Sequence, residues 1–546
     1  MNYFKIKSIF CAFILTSLVC FSGCDLITGV MQAAVENSDN KTTKTYVETG
    51  SNNNKYKIVV NTSADKIITS GNNSTSNNYV DLEQFDNLEI VENKSNFNTT
   101  PEFVNNFYLK LPQNFINNSR AATVTQSTYK EYKIGESRDF HISQNQNGNS
   151  YLDQSFELKT IGKYCRVWFN GNSTFNIPDD YLKNNPNIKT VIDETSFKNI
   201  ALKFDSLYLK ETDIFGSNIP KVQQSGLISV SSDTKIDILL YDIFNDAPNN
   251  INNYVCFGFF NGNDFILNYD VYDKNKNTRY LLTTSNEGEI IYIDSFCLLV
   301  NELTTYSTLS HEFQHLLNFA NKYGNYKKNY ESWYTEMLAM CSEEVLQNDL
   351  EISDDNSPIG RLYSWFNLWP LYGFSKMTWD SFKNSGYSGT YEYANTYAFG
   401  TFLMHNYGGV ELIKEIAQNN YVNEESILKA VQKINPGKIN SFDDLLMNFT
   451  KVYINYSDDG ITLNKSISQN INGNIYYLKS IKLQNSDKRI YLKSNNIAAT
   501  NLQKYAKNIK TEKETRYYYF YEPVILKSEY SYEIYPYGFA VIDAGN

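Results

Sequence analysis

Histidine is scarce in this chain: it occurs four times in 546 residues, at positions 141, 311, 315 and 405. Chemistry that runs on imidazole therefore has few places to be. Positive charge is also short. Lys and Arg total 49 against 60 Asp and Glu, a net charge of −11. Such a surface does not neutralise phosphates, so no nucleic-acid partner is expected. Cysteine carries no CxxC or other metal spacing; beyond residue 24 there are only Cys165, Cys256, Cys297 and Cys341. One or two disulfides and buried free thiols both remain open, because pairing is not readable from sequence. Long apolar runs are missing after residue 24, so no later segment is expected to span a membrane. With 42% apolar and 20% charged residues, the chain is neither a coiled coil nor a highly charged disordered polymer, and its length suits two to four domains.

The first residues read as a targeting signal. Lys5 and Lys7 precede a mostly apolar run at 9–19, and Phe21-Ser22-Gly23-Cys24 closes it with small residues before a cysteine. This resembles a bacterial lipoprotein cleavage site, at which Cys24 becomes the new N-terminus and carries acyl chains. An ordinary secretory cut near Gly23 is the alternative. Either way the body is expected outside the cytoplasm, and with the lipid it is anchored to the cell membrane.

From residue 25 to 78 the chain is rich in Asn, Ser, Thr and Lys, which reads as a flexible tether. Residues 79–200 show short β-rich runs, such as Tyr164-Cys165-Arg166-Val167-Trp168-Phe169. Strand patterns continue over 201–300, helical periodicity takes over at 301–452, and 453–546 returns to Tyr-rich β alternation. The expected class is α+β: a mixed β-sheet subdomain, then a helical subdomain, then a C-terminal β domain.

Chemistry is concentrated at His311-Glu312-Phe313-Gln314-His315. On a helix, positions i and i+4 share a face, so both imidazoles reach one ion. Glu312 stands one step round and can address a water without binding the metal. That is the zincin arrangement. At this composition about 0.001 accidental HExxH matches are expected, against the bland alternative of two histidines satisfied by backbone carbonyls. Leu309, Phe313, Leu316, Leu317 and Ala320 recur at helical spacing, and residues 321–324 end the run.

Zinc sites of this kind need a third protein ligand. The best candidate is Glu336 in Ser332-Trp333-Tyr334-Thr335-Glu336-Met337-Leu338-Ala339-Met340, at 336 − 315 = 21 residues beyond the second histidine. That interval allows one helix to end, a polar loop to turn at 324–330, and a second helix to return. Glu343 falls on the same face seven residues on and can orient a ligand histidine. Glu344 points elsewhere and reads as a solvated charge.

HEFQHLLNF followed by ESWYTEMLA resembles the hyicolysin family of metallopeptidases, in the thermolysin-like gluzincin clan. The resemblance covers roughly residues 155–410. It implies His311, His315 and Glu336 as ligands of one catalytic zinc, Glu312 as catalytic base, and a zinc cleft between a mixed sheet and a helical subdomain. It further implies hydrolysis of a protein or peptide substrate through a zinc-activated water, as a zinc-dependent metallopeptidase, preferably an endopeptidase. Tyr397-Ala398-Phe399-Gly400 resembles the element that stabilises the oxyanion in related gluzincins, with Tyr393 in reserve. One departure is Met337, where the family has Gly directly after the ligand Glu; bulk there is expected to narrow the cleft.

The remaining histidines read blandly, His405 as a polar cap near a helix end and His141 as structural in a β pattern. Asp273-Lys274-Asn275-Lys276-Asn277 has the look of a calcium loop but lacks the Gly and distal Glu, and reads as a solvated turn. Two other functions stay open: a surface lipoprotein for binding or adhesion with a vestigial site, and a zinc aminopeptidase. The second needs an acidic group for the substrate amine, for which Asn286-Glu287-Gly288-Glu289 is a poor match.

Overall fold

A computed structural model describes residues 43–49, 55–70, 79–80, 88–90, 131–144, 150–171, 183, 189–220, 235–245, 256–265, 270–273, 278–281, 285–366, 369–375, 390–454, 460–481, 489–492, 510–511, 514–518, 525–528 and 531–544. In chain order its main strands are β1 (Thr43–Thr49), β2 (Lys55–Asn61), β3 (Ser137–Ser143), β4 (Tyr151–Ile161), β5 (Cys165–Phe169), β6 (Ile236–Tyr241), β7 (Gly258–Phe260), β8 (Ile290–Asp294), β9 (Ile467–Ile471), β10 (Asn474–Leu478) and β11 (Phe539–Asp543). The main helices are α1 (Glu194–Phe215), α2 (Glu302–Asn318), α3 (Ser332–Val345), α4 (Thr390–Tyr407), α5 (Gly409–Gln418), α6 (Asn423–Ile434) and α7 (Phe442–Ile454). The class is α+β, with several separate sheets.

Strands that are apolar on both faces must be covered on both faces. β6 (IDILLY) and β8 (IIYID) are fully buried along their length and lie at the heart of a six-stranded mixed sheet, in the order β7-β8-β6-β5-β4-β3. β5, β6 and β8 run parallel; β7, β4 and β3 complete the sheet antiparallel. Because side chains alternate, Val167, Ile238, Leu240, Ile291 and Ile293 enter the main core with the helices. Trp168, Leu239, Tyr241, Ile290 and Tyr292 enter a second core on the opposite face. The parallel β5–β6 pair needs a crossover, and α1 supplies it. α1 starts at a capping box in which Asp193 accepts from the Ser196 amide at 2.9 Å.

Against this sheet lies α2, whose sequence is poor in strong helix formers: three Thr and two Ser in seventeen residues. Tertiary burial holds it instead, since every residue from Thr304 to Asn318 is buried. Asn301 caps its first turn through the Thr304 amide at 3.1 Å. Phe313 seats it on α1, with ring centroids 4.9 Å from Phe204 and 5.4 Å from Tyr208. Beyond Asn318 the helix widens into a π turn at Phe319–Gly324. There the buried Lys322 donates to the carbonyls of Ile416 (2.7 Å) and Asn419 (2.8 Å), satisfying the C-terminus of α5. α3 is buried from Trp333 to Val345 and packs between α2 and α4.

The expected domain boundaries do not separate the sheets. The stretch read as a tether (25–78) contains β1 and β2, and β2 pairs with β1 on one side and β11 on the other. Tyr56, Ile58, Val59 and Val60 of β2 are buried in the main core. Strand Ser531–Ile534 likewise pairs with Ile68–Thr69 and Tyr79–Val80, and Arg489–Leu492 with Leu88–Ile90. The segment read as a C-terminal β domain (453–546) thus shares its sheets with the N-terminal part, and β3–β5 of the 79–200 region belong to the same sheet as β6–β8. Within 201–300 the first element is helix α1, not strand. Cys165, Cys256, Cys297 and Cys341 are buried free thiols. The signal segment, Cys24 and residues 274–277 of the apparent calcium loop lie outside the described residues; strands Asp270–Asp273 and Thr278–Leu281 pair on either side of the latter. No described helix is long and apolar enough to cross a membrane.

A chain beginning at residue 71 removes β2 from the core. Losing the burial of Tyr56, Ile58, Val59 and Val60 costs roughly 1.5–3 kcal/mol each, comparable in sum with the whole stability of a domain. Such a chain should be insoluble or melt far below one beginning at residue 40, by circular dichroism; equal melting temperatures would show that β2 is dispensable.

Candidate metal centre

The i, i+4 spacing on α2 sets the two imidazoles edge to face, with ring centroids 4.8 Å apart. α3 brings Glu336 to them across the interior. Glu336 Oε2 lies 3.0 Å from His311 Nε2 and 3.5 Å from His315 Nε2. All three residues are buried, and their ligand atoms fall within 4.8 Å of one another. Donor atoms around one tetrahedral zinc, each ~2.0–2.1 Å from it, sit roughly 3.3 Å apart, so the two measured separations bracket that value. His315 Nε2 is buried without a hydrogen-bond partner. A cation between that nitrogen and the Glu336 oxygen 3.5 Å away would satisfy both. Two imidazole nitrogens and one carboxylate oxygen form a donor set that suits zinc.

Each imidazole is also held at its far nitrogen. His311 Nδ1 lies 2.8 Å from Glu343 Oε1, and the Ser307 hydroxyl donates to Glu343 Oε2. Glu336 and Glu343, two turns apart on α3, therefore grip opposite nitrogens of one ring. His315 Nδ1 lies 2.9 Å from Thr335 Oγ1. One layer behind, Glu211 of α1 accepts from Ser342 (2.9 Å) and Ser310 (3.4 Å). Burial there lifts Glu211 well above the usual carboxyl range, opposed by the hydroxyls of Ser342 and Ser310.

The electrostatics follow from burial and pairing. Burial pulls His311 down, but hydrogen bonds to Glu336 and Glu343 outweigh it and push it up to about 10. His315 ends below its ordinary value, because burial outweighs the attraction of Glu336. Burial alone would raise Glu336; the two imidazoles overcome it and hold the carboxylate well below the usual range. Burial pushes Glu312 up to about 8, opposed by His311 and by a backbone hydrogen bond from Phe260. Glu312 Oε2 is buried without a hydrogen-bond partner. β7 passes close beside it: a Cβ on Gly258 would sit 3.1 Å from Glu312 Cγ and 2.7 Å from Thr308 Cγ2. Only glycine lets the strand lie this near the helix.

Thus the structure brings His311, Glu312, His315, Glu336 and Glu343 together. Tyr397 does not join them. Its hydroxyl donates to Glu344 Oε2 at 2.7 Å, and Thr401 (3.3 Å) and His405 Nε2 (3.1 Å) meet the other oxygen of that carboxylate. Glu344 is therefore no solvated charge; it is 2% exposed and anchors α4 to α3. His405 belongs to this cluster, with Nδ1 3.0 Å from the Lys465 carbonyl oxygen. The ring of Tyr393 lies under the Arg361 guanidinium, 4.8 Å away. Met337 faces α4, where a Cβ on Gly400 would meet Met337 Cγ at 2.8 Å and Cys341 Sγ at 2.7 Å. The bulk expected to narrow a cleft is taken up by the missing side chain of Gly400. His141 is structural, stacked on Tyr151 and paired with Asp153 at 2.8 Å.

Ser307, Thr335 and Gly258 were not singled out from sequence. Ser307 stands four residues before His311, so helical spacing could have pointed to it; Thr335 and Gly258 carry no such signal.

No protein-family model matches the chain. It is 25% identical over 342 residues to the neutral metalloprotease ShpI of Staphylococcus hyicus, an alignment taking in 60% of this chain and 65% of that protein. The chain thus spans a little under two thirds of the length of that curated relative. At the level of a metalloprotease relative, this agrees with the expectation from HExxH.

The Tyr397 hydroxyl is spent on a buried carboxylate, a bond worth roughly 1–3 kcal/mol. Tyr397→Phe should therefore lower the melting temperature and leave zinc affinity unchanged. Unchanged stability with altered zinc binding would instead place the hydroxyl at the metal centre.

Proposed function

We propose that the protein is a zinc metalloprotease, acting as an endopeptidase on proteins or peptides outside the cytoplasm and anchored to the membrane by lipid on Cys24. The observation that carries this reading is the buried convergence of His311 Nε2, His315 Nε2 and Glu336 Oε2 beside Glu312, whose Oε2 has no hydrogen-bond partner. The metalloprotease relative supports it independently.

A zinc ion held by His311, His315 and Glu336 supplies a Lewis acid and makes water acidic near neutral pH. Glu312 does the proton work. Its Oε2 takes the proton from the attacking water and returns it to the leaving amine. Glu343 keeps His311 oriented through Nδ1. β7 is the edge strand of its sheet among the described residues and runs beside Glu312. An extended peptide adding to that edge lays its backbone along the site, as strand addition requires. The oxyanion donor is not Tyr397, whose hydroxyl is committed to Glu344.

Glu312→Gln should keep stoichiometric zinc and lose casein cleavage, because an amide neither accepts nor returns the proton; wild-type turnover in that variant would sink the mechanism. Glu336→Ala should lower zinc affinity by orders of magnitude, and Glu343→Ala only about 10- to 100-fold. Equilibrium zinc titration checks the order, and the reverse order would mean the ligand sits two turns further along α3.

Anchoring is tested separately. Cys24→Ser should move the protein from the detergent phase to the aqueous phase with its peptidase activity intact. Unchanged partitioning would rule out the lipid.

A further inference from the structure

The two ligand imidazoles are held at their far nitrogens by different chemistry. His311 faces an anion, Glu343. His315 faces a neutral hydroxyl, Thr335 Oγ1 at 2.9 Å, and the side-chain amide of Asn318 lies 3.2 Å from that same oxygen. His315, Thr335 and Asn318 are 5%, 8% and 1% exposed, so bulk water does not substitute for any of these bonds.

An imidazole that offers its Nε2 lone pair to a cation carries its hydrogen on Nδ1. For His315 that hydrogen points at Thr335 Oγ1. A hydroxyl oxygen has two lone pairs with which to accept. Thr335 Oγ1 uses them for His315 Nδ1–H and for the Asn318 Nδ2 amide, which donates to it at 3.2 Å.

We propose that Thr335 and Asn318 are positioning residues that fix His315 in its Nδ1–H tautomer, with Nε2 aimed at the metal position. The proposal rests on reading His311, His315 and Glu336 as a zinc site. Thr335 directly precedes Glu336, so one turn of α3 delivers both the carboxylate ligand and the hold on the neighbouring histidine. Asn318 closes the same link from the last residue of α2. A hydrogen bond that merely ties α2 to α3 would contribute to stability and leave metal affinity alone.

The test uses the purified full chain, zinc affinity from competition with a chromophoric chelator, and the visible absorption of the cobalt-substituted protein. Thr335→Val, which keeps the shape and removes the hydroxyl, should weaken zinc about 10- to 100-fold and alter the cobalt spectrum. Thr335→Ser should restore both. Asn318→Leu should weaken zinc less than Thr335→Val, and it serves if Thr335→Val does not fold. Wild-type zinc affinity and cobalt spectrum in Thr335→Val, or in Asn318→Leu if the first variant fails to fold, would overturn the positioning role and leave the zinc site standing. A wild-type chain that takes up neither metal would overturn the zinc reading and the positioning role with it.

Discussion

A carboxylate removed from water must be matched by positive charge or by hydrogen bonds, because its desolvation costs several kcal/mol. Glu336 is fully buried, and the two imidazoles of α2 are what it meets. Much else in the helical layer follows from meeting that requirement. Glu343 steadies the ring of His311 from behind, and Ser307 steadies Glu343. The centre is a hydrogen-bonded set of buried side chains inside a packed core, and α2 and α3 are held by what surrounds them.

That surrounding is unusually constrained at two glycines. Gly258 lets β7 lie against α2 beside Glu312, and Gly400 lets α4 lie against Met337 and Cys341 of α3. A second buried carboxylate, Glu344, draws Tyr397, Thr401 and His405 of α4 onto α3. Lys322 ties the π turn after α2 to the end of α5. Each contact spends a polar side chain on fixing one helix relative to another, and the site's geometry is the sum of those fixings.

The outer sheets do comparable work over a longer range. β2 lies between β1 and β11, joining the two ends of the described chain, and its Ile58, Val59 and Val60 enter the same core as the helices. The core around the candidate metal centre is therefore closed by segments hundreds of residues apart, which makes the N-terminal strands part of the body that holds it.

What the sequence by itself determined is local. His311, Glu312 and His315 are legible because helical spacing converts i, i+4 into one face without reference to anything else. Glu336 and Glu343 are legible for nearly the same reason: a short loop returns a second helix, and seven residues preserve a face. The buried runs of β5, β6 and β8 also announce themselves, since strands covered on both sides are apolar throughout. Only the tertiary structure decided the rest. Glu344 and Tyr397 were misread because each helical residue turns the side chain by about 100°, and which direction is interior depends on where α4 packs. Met337 looked obstructive until Gly400 stood opposite it. β2 looked like tether because its polar neighbours dominate its composition and its partner, β11, lies nearly the whole chain away. Strand pairing at that distance leaves no periodicity in sequence; it is set by which edges the fold leaves to be joined.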